Sequence, residues 1–446
     1  MDKDVLEILK KFEKGGYAIA IVGGAVRDIL TGKEAVDWDL TTSAKPEEIL
    51  RLFLGAFYNN RFGTVGIKIG NKIVEVTTYR KEQGYSDRRH PDKVVWGKSL
   101  EEDLARRDFT INAIALRFTQ GKLSQTPVDP YGGQKDLKAK LIRTVGKADA
   151  RFSEDALRLI RAVRFAATLN FKIEGETETS IKKNSKIISE ISGERIRDEI
   201  FKIVVSEFSA EGILLMRETG LLTEILPELD VCFAVEQKSP KRHHVFDVGT
   251  HCVMSMKHCP SKDTVVRLAT LLHDIGKAKV ADVTEEGVRT FYNHEVIGAR
   301  QVNQISKRFQ LSNHDRDKLF KLVRWHQFSV NENQTDKALR RFIRNVGLEN
   351  VEDMMDLRIG DRLGGGLQQP ESWRLKLFRK RIEEVLKKPF TVADLKVNGN
   401  DVMELLNLKA GVEIGKILKK LFEEVLEDSN KNEREYLMEQ IKKVKV

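Results

Sequence analysis

The hydrophobic and polar positions near the start of the chain predict a strand, a glycine turn and a helix. Residues 18–22 form a short apolar run with β-branched members, and Gly23 and Gly24 follow it directly. The apolar positions of residues 26–30 then fit a helix. Because a glycine turn that leads into a helix presents unpaired backbone N–H groups, this segment is suited to binding a phosphate.

Two carboxylates follow about ten residues later. Asp37 and Asp39 flank Trp38, and on an extended segment residues two apart share one face. Two carboxylates at such a short distance repel one another unless cations lie between them. Mg²⁺ is the cation that prefers oxygen ligands beside substrate phosphates. A two-metal arrangement there would activate an attacking hydroxyl and stabilise the leaving oxygen. Taken alone, an Asp-x-Asp near a turn more often lies in a solvated loop.

A third group of charges follows a helix-like acidic stretch at residues 100–105. Arg106 and Arg107 precede Asp108. Guanidinium forks suit triphosphate oxygens, and a nearby carboxylate suits a ribose hydroxyl. The alternative is a surface cluster of ion pairs.

Residues 154–164 are predicted to form one helix from their apolar positions. On such a helix Asp155, Arg158, Arg161 and Arg164 lie three apart and form a single polar stripe. The alternative to a binding face is a solvated face with local ion pairs.

The order and spacing of these elements resemble the class II tRNA nucleotidyltransferases, the bacterial-type CCA-adding enzymes of the DNA polymerase β superfamily. The resemblance covers about the first 210 residues. Its motifs are Gly23-Gly24-Ala25-Val26-Arg27-Asp28 with Asp37 and Asp39, then residues 82–92, Arg106-Arg107-Asp108, Glu154-Asp155 with Arg158, and Glu194-Arg195-Ile196-Arg197-Asp198-Glu199.

The resemblance implies a role for each matching residue. It implies that Asp37 and Asp39 are the catalytic pair that binds Mg²⁺, and that Asp155 and Arg158 read the incoming base. Glu75 is a candidate third acidic member, on a predicted strand at residues 72–77. The other nucleotide contacts that it implies are Gly24, Arg27, Arg107, Arg161 and Arg164.

The base-reading pair has a physical logic of its own. Cytosine and adenine both present an amino donor beside a ring-nitrogen acceptor, which suits a carboxylate and a guanidinium. Uracil and guanine reverse that pattern and would leave desolvated groups at Asp155 and Arg158 unpaired. The nucleotides expected are therefore CTP and ATP, and the family resemblance implies tRNA as the acceptor.

Residues 81–98 are rich in glycine, serine, aspartate, arginine and proline and are predicted to form a mobile loop. In the family this loop is needed for the switch from C to A addition. Its presence argues against an enzyme restricted to CC addition. It leaves two activities open, which are addition of the whole CCA and addition of the terminal A alone beside a partner enzyme that adds CC.

The second half of the chain carries a different signal, because eight of the nine histidines lie between His243 and His326. Residues 271–277 resemble the central motif of HD-domain phosphohydrolases. A histidine and carboxylate cluster of this kind holds one or two divalent transition metals that activate water. The alternative is a structural body that has kept the motif without hydrolysis. The metal ligands implied are His251, His273, Asp274, His294, His326 and Asp361.

Composition agrees with a nucleic-acid partner. The formal net charge is +10, which favours a polyanion through phosphate contacts. Three cysteines without Cys-x-x-Cys spacing indicate reduced thiols in a cytoplasmic protein, and no apolar stretch is long enough to cross a membrane. The oligomeric state stays open.

The fold class predicted is α+β. A nucleotidyltransferase head with a mixed β-sheet occupies residues 1–145, followed by an all-α neck at 146–212, an HD-like body at 213–368 and a helical tail that contacts tRNA at 369–446. Two alternatives to the tRNA nucleotidyltransferase are a poly(A) polymerase and an HD-domain phosphohydrolase with an RNA-binding head. Residues 61–67 lack the paired basic residues typical of those polymerases.

Overall fold

A computed structural model describes residues 2–60, 63–70, 72–84, 93–237, 246–328, 334–386 and 392–444. The chain divides into two compact units. The first comprises residues 1–231 with 305–311, and the second comprises residues 232–304 with 312–446.

A seven-stranded mixed sheet organises the head, as the sequence predicts. Its strand order is β3-β4-β5-β2-β1-β8-β9. The β2–β5 pair is parallel, and the other neighbouring pairs are antiparallel. The strands of this sheet, with the separate hairpin β6–β7, are β1 (Ile19–Val22), β2 (Asp39–Thr42), β3 (Phe57–Asn60), β4 (Thr64–Ile69), β5 (Lys72–Thr78), β6 (Arg80–Gln83), β7 (Lys93–Trp96), β8 (Ala115–Thr119) and β9 (Lys122–Leu123).

Twelve helices of the first unit surround the sheet or follow it within the described ranges. They are α1 (Lys3–Lys14), α2 (Gly24–Leu30), α3 (Pro46–Leu52), α4 (Leu100–Ala105), α5 (Gly133–Ala139), α6 (Ala148–Glu154), α7 (Leu157–Leu169), α8 (Gly175–Asn184), α9 (Gly193–Val204), α10 (Ser209–Glu218), α11 (Leu221–Ile225) and α12 (Pro227–Asp230). Short 3₁₀ helices lie at Thr110–Asn112 and Ser185–Glu190.

The interior of the sheet is buried at β1 because this strand is apolar along its whole length. All four residues of β1 are buried. Ile19 and Ile21 pack with Val26 of α2 and Leu40 of β2 in one apolar cluster, and the other two residues of β1 pack in a second cluster. Burial of such side chains contributes about 1.5–3 kcal/mol each. The strand, glycine turn and helix predicted near residue 23 are confirmed.

The helix predicted over residues 154–164 is wrong in one respect, because the chain leaves the helical conformation at Asp155. Here φ is −142° and ψ is 105°, so α6 ends and α7 begins two residues later. The Asp155 carboxylate accepts a hydrogen bond from the backbone N–H of Leu157 at 3.1 Å. An aspartate that satisfies a free N–H at a helix start competes with helix continuation.

The loop predicted at residues 81–98 is wrong at both of its flanks. Its flanks form the antiparallel hairpin β6–β7, with Lys81 opposite Val95. The β-branched and aromatic residues of β7, which are Val94, Val95 and Trp96, favour a strand over a loop. Residues 61–62 and 85–92 of the sequence motifs lie outside the described residues.

The neck and body are mainly helical, but they are not wholly so. Two short strand pairs are present, namely the parallel pair β10 (Leu141–Ile142) with β11 (Lys172–Ile173), and the antiparallel pair β12 (Asp282–Val283) with β13 (Arg289–Thr290).

The remaining helices follow Val231 in chain order. They are α13 (Val248–His258), α14 (Thr264–Leu272), α15 (Lys277–Val280), α16 (His294–Arg308), α17 (Asn313–Trp325), α18 (Asp336–Val346), α19 (Val351–Gly364), α20 (Trp373–Leu386), α21 (Gly399–Leu406), α22 (Val412–Glu427) and α23 (Arg434–Lys442), with 3₁₀ helices at Val231–Ala234, Leu348–Asn350, Val392–Asp394 and Ser429–Lys431.

Helices α13, α14 and α19 pack closely on one another in the second unit. No helix in the described ranges has the length and apolar character needed to span a bilayer.

Candidate active site

The head site is built around Asp39, the first residue of β2. Its neighbours across the sheet are Val22 on β1 and Glu75 on β5. Asp37 lies in an exposed bend two residues earlier, and Trp38 packs against the apolar core. The sheet register therefore places the acidic Glu75 beside Asp39, on the neighbouring parallel strand.

The glycine turn approaches Asp39 closely. Gly23 has a φ of +71°, and a Cβ atom there would lie 2.8 Å from Asp39 Oδ2 and 3.5 Å from Arg107 Nη1. Glycine satisfies both demands, since it adopts a positive φ without strain and leaves room for the carboxylate. A Cβ on Gly24 would lie 3.4 Å from Arg27 Nη2.

The electrostatic surroundings of Asp39 favour a cation. Burial raises the pKa of Asp39. The guanidinium groups of Arg107 and Arg161 lower this pKa, whereas the nearby Asp37 carboxylate raises it. The net shift is upward, which means that ionised Asp39 is under-compensated by the protein alone. Two neighbouring carboxylates with an under-compensated charge are a donor set that fits a hard divalent cation.

A cavity of about 300 Å³ opens beside Asp39. Of the predicted site residues, Asp39, Arg107, Asp155, Arg158 and Arg161 line it. Asp37, Gly24, Arg27 and Arg164 are not among its lining residues. The lining residues that are also present are Leu40, Glu75, Thr77, Arg80, Arg106 and Asp108.

Two arginines at the cavity are held by one buried carboxylate. Asp103 is fully buried on α4 and accepts hydrogen bonds from Arg106 Nε at 2.9 Å and from Arg107 Nη2 at 3.3 Å. The two arginines therefore form the ion pairs of the alternative interpretation, and they also line the cavity. The i, i+3 and i, i+4 spacing within residues 103–107 is the sequence signal that would have identified Asp103.

Asp108 links the head to α7. Arg161 donates to Asp108 Oδ2 from Nε at 2.9 Å and from Nη2 at 2.6 Å. Asn112 donates to Oδ1 at 3.2 Å and accepts from Arg27 Nη1 at 2.8 Å. Burial alone would raise the pKa of Asp108, but the Arg161 guanidinium lowers it to about 2. Asp108 thus orients Arg161 and also lines the cavity, and the ribose contact suggested for it stays a prediction.

The stripe predicted on α7 is present from Arg158 to Arg164, and each arginine is paired. Arg158 contacts Glu154 at 2.6 Å, and Arg164 contacts Glu199 on α9 at 2.9 Å. The Arg164 guanidinium also lies 3.5 Å from the centroid of the Phe165 ring. Arg164 is therefore a packed ion-pair residue, whereas Arg158 and Arg161 keep contact with the cavity.

The second unit contains a buried cluster of the predicted histidines and carboxylates. The two groups with ligand geometry are His251, His273 and Asp274, and Asp274, His294 and His326. In each group the ligand atoms lie within 4.8 Å of one another. Asp274 is shared, with its Oδ2 3.4 Å from His251 Nε2 and its Oδ1 3.2 Å from His294 Nε2.

Asp361 on α19 joins the same cluster. Its Oδ1 lies 3.2 Å from His251 Nε2 and 3.7 Å from His273 Nε2. All six residues predicted from the sequence are therefore brought together, although they come from five separate stretches of the chain.

Three of the histidines are oriented by backbone carbonyls. The Nδ1 atoms of His273, His294 and His326 lie 2.7, 2.8 and 2.7 Å from the carbonyl oxygens of residues three positions earlier. An N–H at Nδ1 leaves the lone pair of Nε2 directed into the cluster, as in metal-ligating histidines. This donor set of imidazoles and carboxylates fits divalent transition metals.

Two cationic residues at the cluster were missed by the sequence reasoning. Lys277 Nζ lies 2.5 Å from Asp274 Oδ2, and Arg358 Nη1 lies 3.0 Å from Asp361 Oδ2. Although burial opposes ionisation, His273 and Lys277 hold the pKa of Asp274 well below its usual value. Both cations line a cavity of about 480 Å³ with His273, His294 and His326.

Three family matches follow the order of these elements. Residues 19–143 match the Poly A polymerase head domain, residues 170–233 match the probable RNA and SrmB-binding site of polymerase A, and residues 242–363 match the HD domain.

Named relatives narrow the class of enzyme that this chain resembles. The chain is 43% identical over 222 residues to a CCA-adding enzyme of Geobacillus thermodenitrificans, which covers 50% of this chain and 54% of that protein. It is 42% identical over 221 residues to a CCA-adding enzyme of Lactobacillus helveticus, covering 49% and 54%. The alignments thus span about half the length of these relatives.

The crystal structure of the Bacillus stearothermophilus CCA-adding enzyme in complex with CTP extends the match to the whole chain. It superposes with a TM-score of 0.73 and 27% identity over 99% of this chain and 98% of that one. The chain therefore resembles the bacterial CCA-adding enzymes in its domain matches and in its fold.

The likeness to CCA-adding enzymes confirms the resemblance inferred from the sequence motifs. It also confirms the α+β fold class, with a sheet-containing head and a helical HD-like body. The relatives named as CCA-adding enzymes do not favour the poly(A) polymerase alternative. The match to the polymerase head domain implies use of a divalent metal, which agrees with the carboxylates beside the head cavity.

Proposed function

We propose that this protein is a tRNA nucleotidyltransferase that adds the 3′-terminal CCA, or its terminal A alone, to tRNA from CTP and ATP. The observation that carries the proposal is the head cavity. It gathers Asp39, Arg107, Asp155, Arg158 and Arg161 from the sheet, the segment after α4 and the neck. The B. stearothermophilus relative that covers the whole chain was solved with CTP, which supports the choice of nucleotide.

In the proposed reaction the 3′-hydroxyl of tRNA attacks the α-phosphorus of the bound nucleotide, and pyrophosphate leaves. Asp37 and Asp39 would hold Mg²⁺, which would supply charge stabilisation and lower the pKa of the attacking hydroxyl. Arg107 and Arg161 bind triphosphate oxygens, and each is pre-oriented by a carboxylate, that of Asp103 or Asp108. Catalysis rests mainly on positioning and on charge stabilisation, so no covalent enzyme intermediate is needed.

Base choice is assigned to Asp155 and Arg158, both of which line the cavity. Asp155 accepts from the exocyclic amino group of cytosine or adenine, and Arg158 donates to the adjacent ring nitrogen. Arg158 has 10% of its side chain exposed and Asp155 has 18%. A mismatched base would therefore leave largely desolvated groups unpaired.

Nucleotide choice tests this function. We expect kcat/KM for CTP to exceed that for UTP, and kcat/KM for ATP to exceed that for GTP, each by at least about 100-fold. The measurement is single-nucleotide incorporation into tRNA transcripts that lack CCA or that end in CC, with Mg²⁺ present. Incorporation of all four nucleotides with similar efficiency would contradict the assignment of the two base-reading residues.

A second activity is favoured by the histidine cluster of the HD-like body. We propose that the two ligand groups of this cluster, which have Asp274 in common, would hold divalent transition metals. Such metals when bound supply an activated water for hydrolysis of a phosphoester. Lys277 and Arg358 at the cavity carry the positive charge that a phosphate group needs. The carbonyl-oriented histidines are the observation that favours this activity over a purely structural body.

A further inference from the structure

We propose that Arg195 and Glu154 set the base selectivity of this enzyme, because they fix the two side chains that read the base. The inference rests on the proposed function, in which Asp155 and Arg158 do the reading. Neither Arg195 nor Glu154 is among the cavity-lining residues, so both are positioning residues.

Asp155 depends on other residues for its orientation because it lies between two helices. Its backbone is extended, and its side chain is fixed at two points. Oδ1 accepts from the backbone N–H of Leu157 at 3.1 Å, and the guanidinium of Arg195 on α9 spans both oxygens, with Nη2 3.0 Å from Oδ2 and Nη1 3.4 Å from Oδ1. A fork that contacts both oxygens fixes the plane of a carboxylate, which a single contact cannot do.

The arrangement leaves room for a base. Each carboxylate oxygen has two lone pairs. Within the described part of the chain, Oδ1 of Asp155 accepts from Leu157 and Arg195, and Oδ2 accepts from Arg195. One lone pair of Oδ2 therefore remains for the amino group of cytosine or adenine.

Arg158 is held by a different set of acceptors. Its Nη1 donates to Glu154 Oε2 at 2.6 Å and to the carbonyl oxygen of Arg151 at 3.1 Å. Its Nη2 donates to the carbonyl oxygen of Arg106 at 3.1 Å. Glu154 supplies the one charged contact among these three, and it is itself held by Arg151 at 3.0 Å.

Rigidity of the pair is what excludes uracil and guanine. Those bases present a carbonyl oxygen where cytosine and adenine present an amino group, and a ring N–H where the others present an acceptor. A carboxylate and a guanidinium that are free to move can exchange positions and satisfy the reversed pattern. Arg195 fixes Asp155, and Glu154 fixes Arg158, so that exchange is prevented. Discrimination between the bases therefore depends on Arg195 and Glu154.

The test is a comparison of kcat/KM for CTP, UTP, ATP and GTP in the full-length enzyme. We expect Arg195→Gln to reduce the CTP-to-UTP and ATP-to-GTP ratios by about 10- to 100-fold, from the loss of a hydrogen-bonded charge pair. Arg195→Lys keeps the charge without the fork, and it should restore part of the ratio. Glu154→Gln should reduce the ratios less, because Arg158 retains its two carbonyl contacts.

Arg143→Gln is the matched control. Arg143 also pairs with carboxylates in the first unit, those of Asp136 and Glu174, but it does not line the head cavity. Its loss should leave both ratios unchanged. Thermal unfolding of each variant separates a change in selectivity from loss of the fold, and Arg195→Lys keeps the test decisive if Arg195→Gln does not fold.

Two results would overturn the inference. If Arg195→Gln and Arg195→Lys lower kcat/KM for all four nucleotides by the same factor, or leave the ratios unchanged, Arg195 has no part in selectivity. Asp155→Asn, measured beside them, separates this failure from that of the proposed function. If Asp155→Asn is the only variant that changes the nucleotide ratios, the positioning role is refuted and the base-reading role of Asp155 stands. If Asp155→Asn also leaves the ratios unchanged, the base-reading role itself is refuted.

Discussion

Replacement of Asp39 by asparagine is expected to lower kcat/KM for nucleotide incorporation by about 1,000-fold or more. Asp39 begins β2 beside the glycine turn and lines the head cavity, so its oxygens lie where metal ions and phosphates must meet. Loss of one such charged group removes several kcal/mol of transition-state stabilisation. The measurement is Mg²⁺-dependent incorporation of ATP into a tRNA transcript ending in CC.

Asp129→Asn is a suitable control for the Asp39 variant. Asp129 lies in the same unit and accepts from the backbone N–H of Gly133 at 2.7 Å, which an asparagine oxygen also accepts. Incorporation by Asp39→Asn within a few fold of the unchanged enzyme, with the control also active, would rule out the carboxylate mechanism.

The second large effect concerns the HD-like body. Asp274→Asn is expected to abolish tight binding of divalent transition metals there and any phosphodiester hydrolysis that depends on them. One carboxylate serves both ligand groups, so its loss weakens two metal positions at once. Nucleotide incorporation by the head should remain within about twofold, since the head chemistry uses Asp39 and its own cavity.

The measurement for Asp274→Asn is the number of Mn²⁺ ions retained per chain after desalting, together with hydrolysis of bis(p-nitrophenyl) phosphate. His314→Gln is the control, because His314 is 82% exposed and lies outside both ligand groups. Equal Mn²⁺ retention by the unchanged enzyme and Asp274→Asn would contradict the metal assignment.

Much of the head could be predicted because its signals are local. The apolar run before Gly23, the turn and α2 follow one another directly, so periodicity and glycine chemistry were sufficient to place them. The break at Asp155 was missed because the apolar spacing of residues 157–165 fits one uninterrupted helix. That spacing carries no sign of the hydrogen bond from the Leu157 N–H to the Asp155 side chain.

The partners of the charged residues could not be predicted in the same way. Arg161 with Asp108 and Asp155 with Arg195 are separated by 53 and 40 positions, and only the folded chain brings them together. Within α4 and its continuation, by contrast, Asp103 with Arg106 follows helical spacing and was accessible to sequence reasoning.

The HD cluster illustrates a third case. Its six members were predicted from a family resemblance and from their order in the chain, and all six meet in the structure. The roles of Lys277 and Arg358 were not predicted, because a basic residue near a histidine carries no signal until the cavity is known.

The most direct test of the central claim is incorporation of CTP and ATP, with Mg²⁺, into three tRNA transcripts and an unstructured RNA. The transcripts lack CCA, end in C, or end in CC. The account predicts that the tRNA ending in CC gains a single A, that extension stops at CCA, and that the unstructured RNA is not extended. Addition of CCA to the first transcript would identify a complete CCA-adding enzyme, and addition of A alone would identify an A-adding enzyme. Long adenylate tails on the unstructured RNA, or no incorporation into any tRNA, would contradict the account.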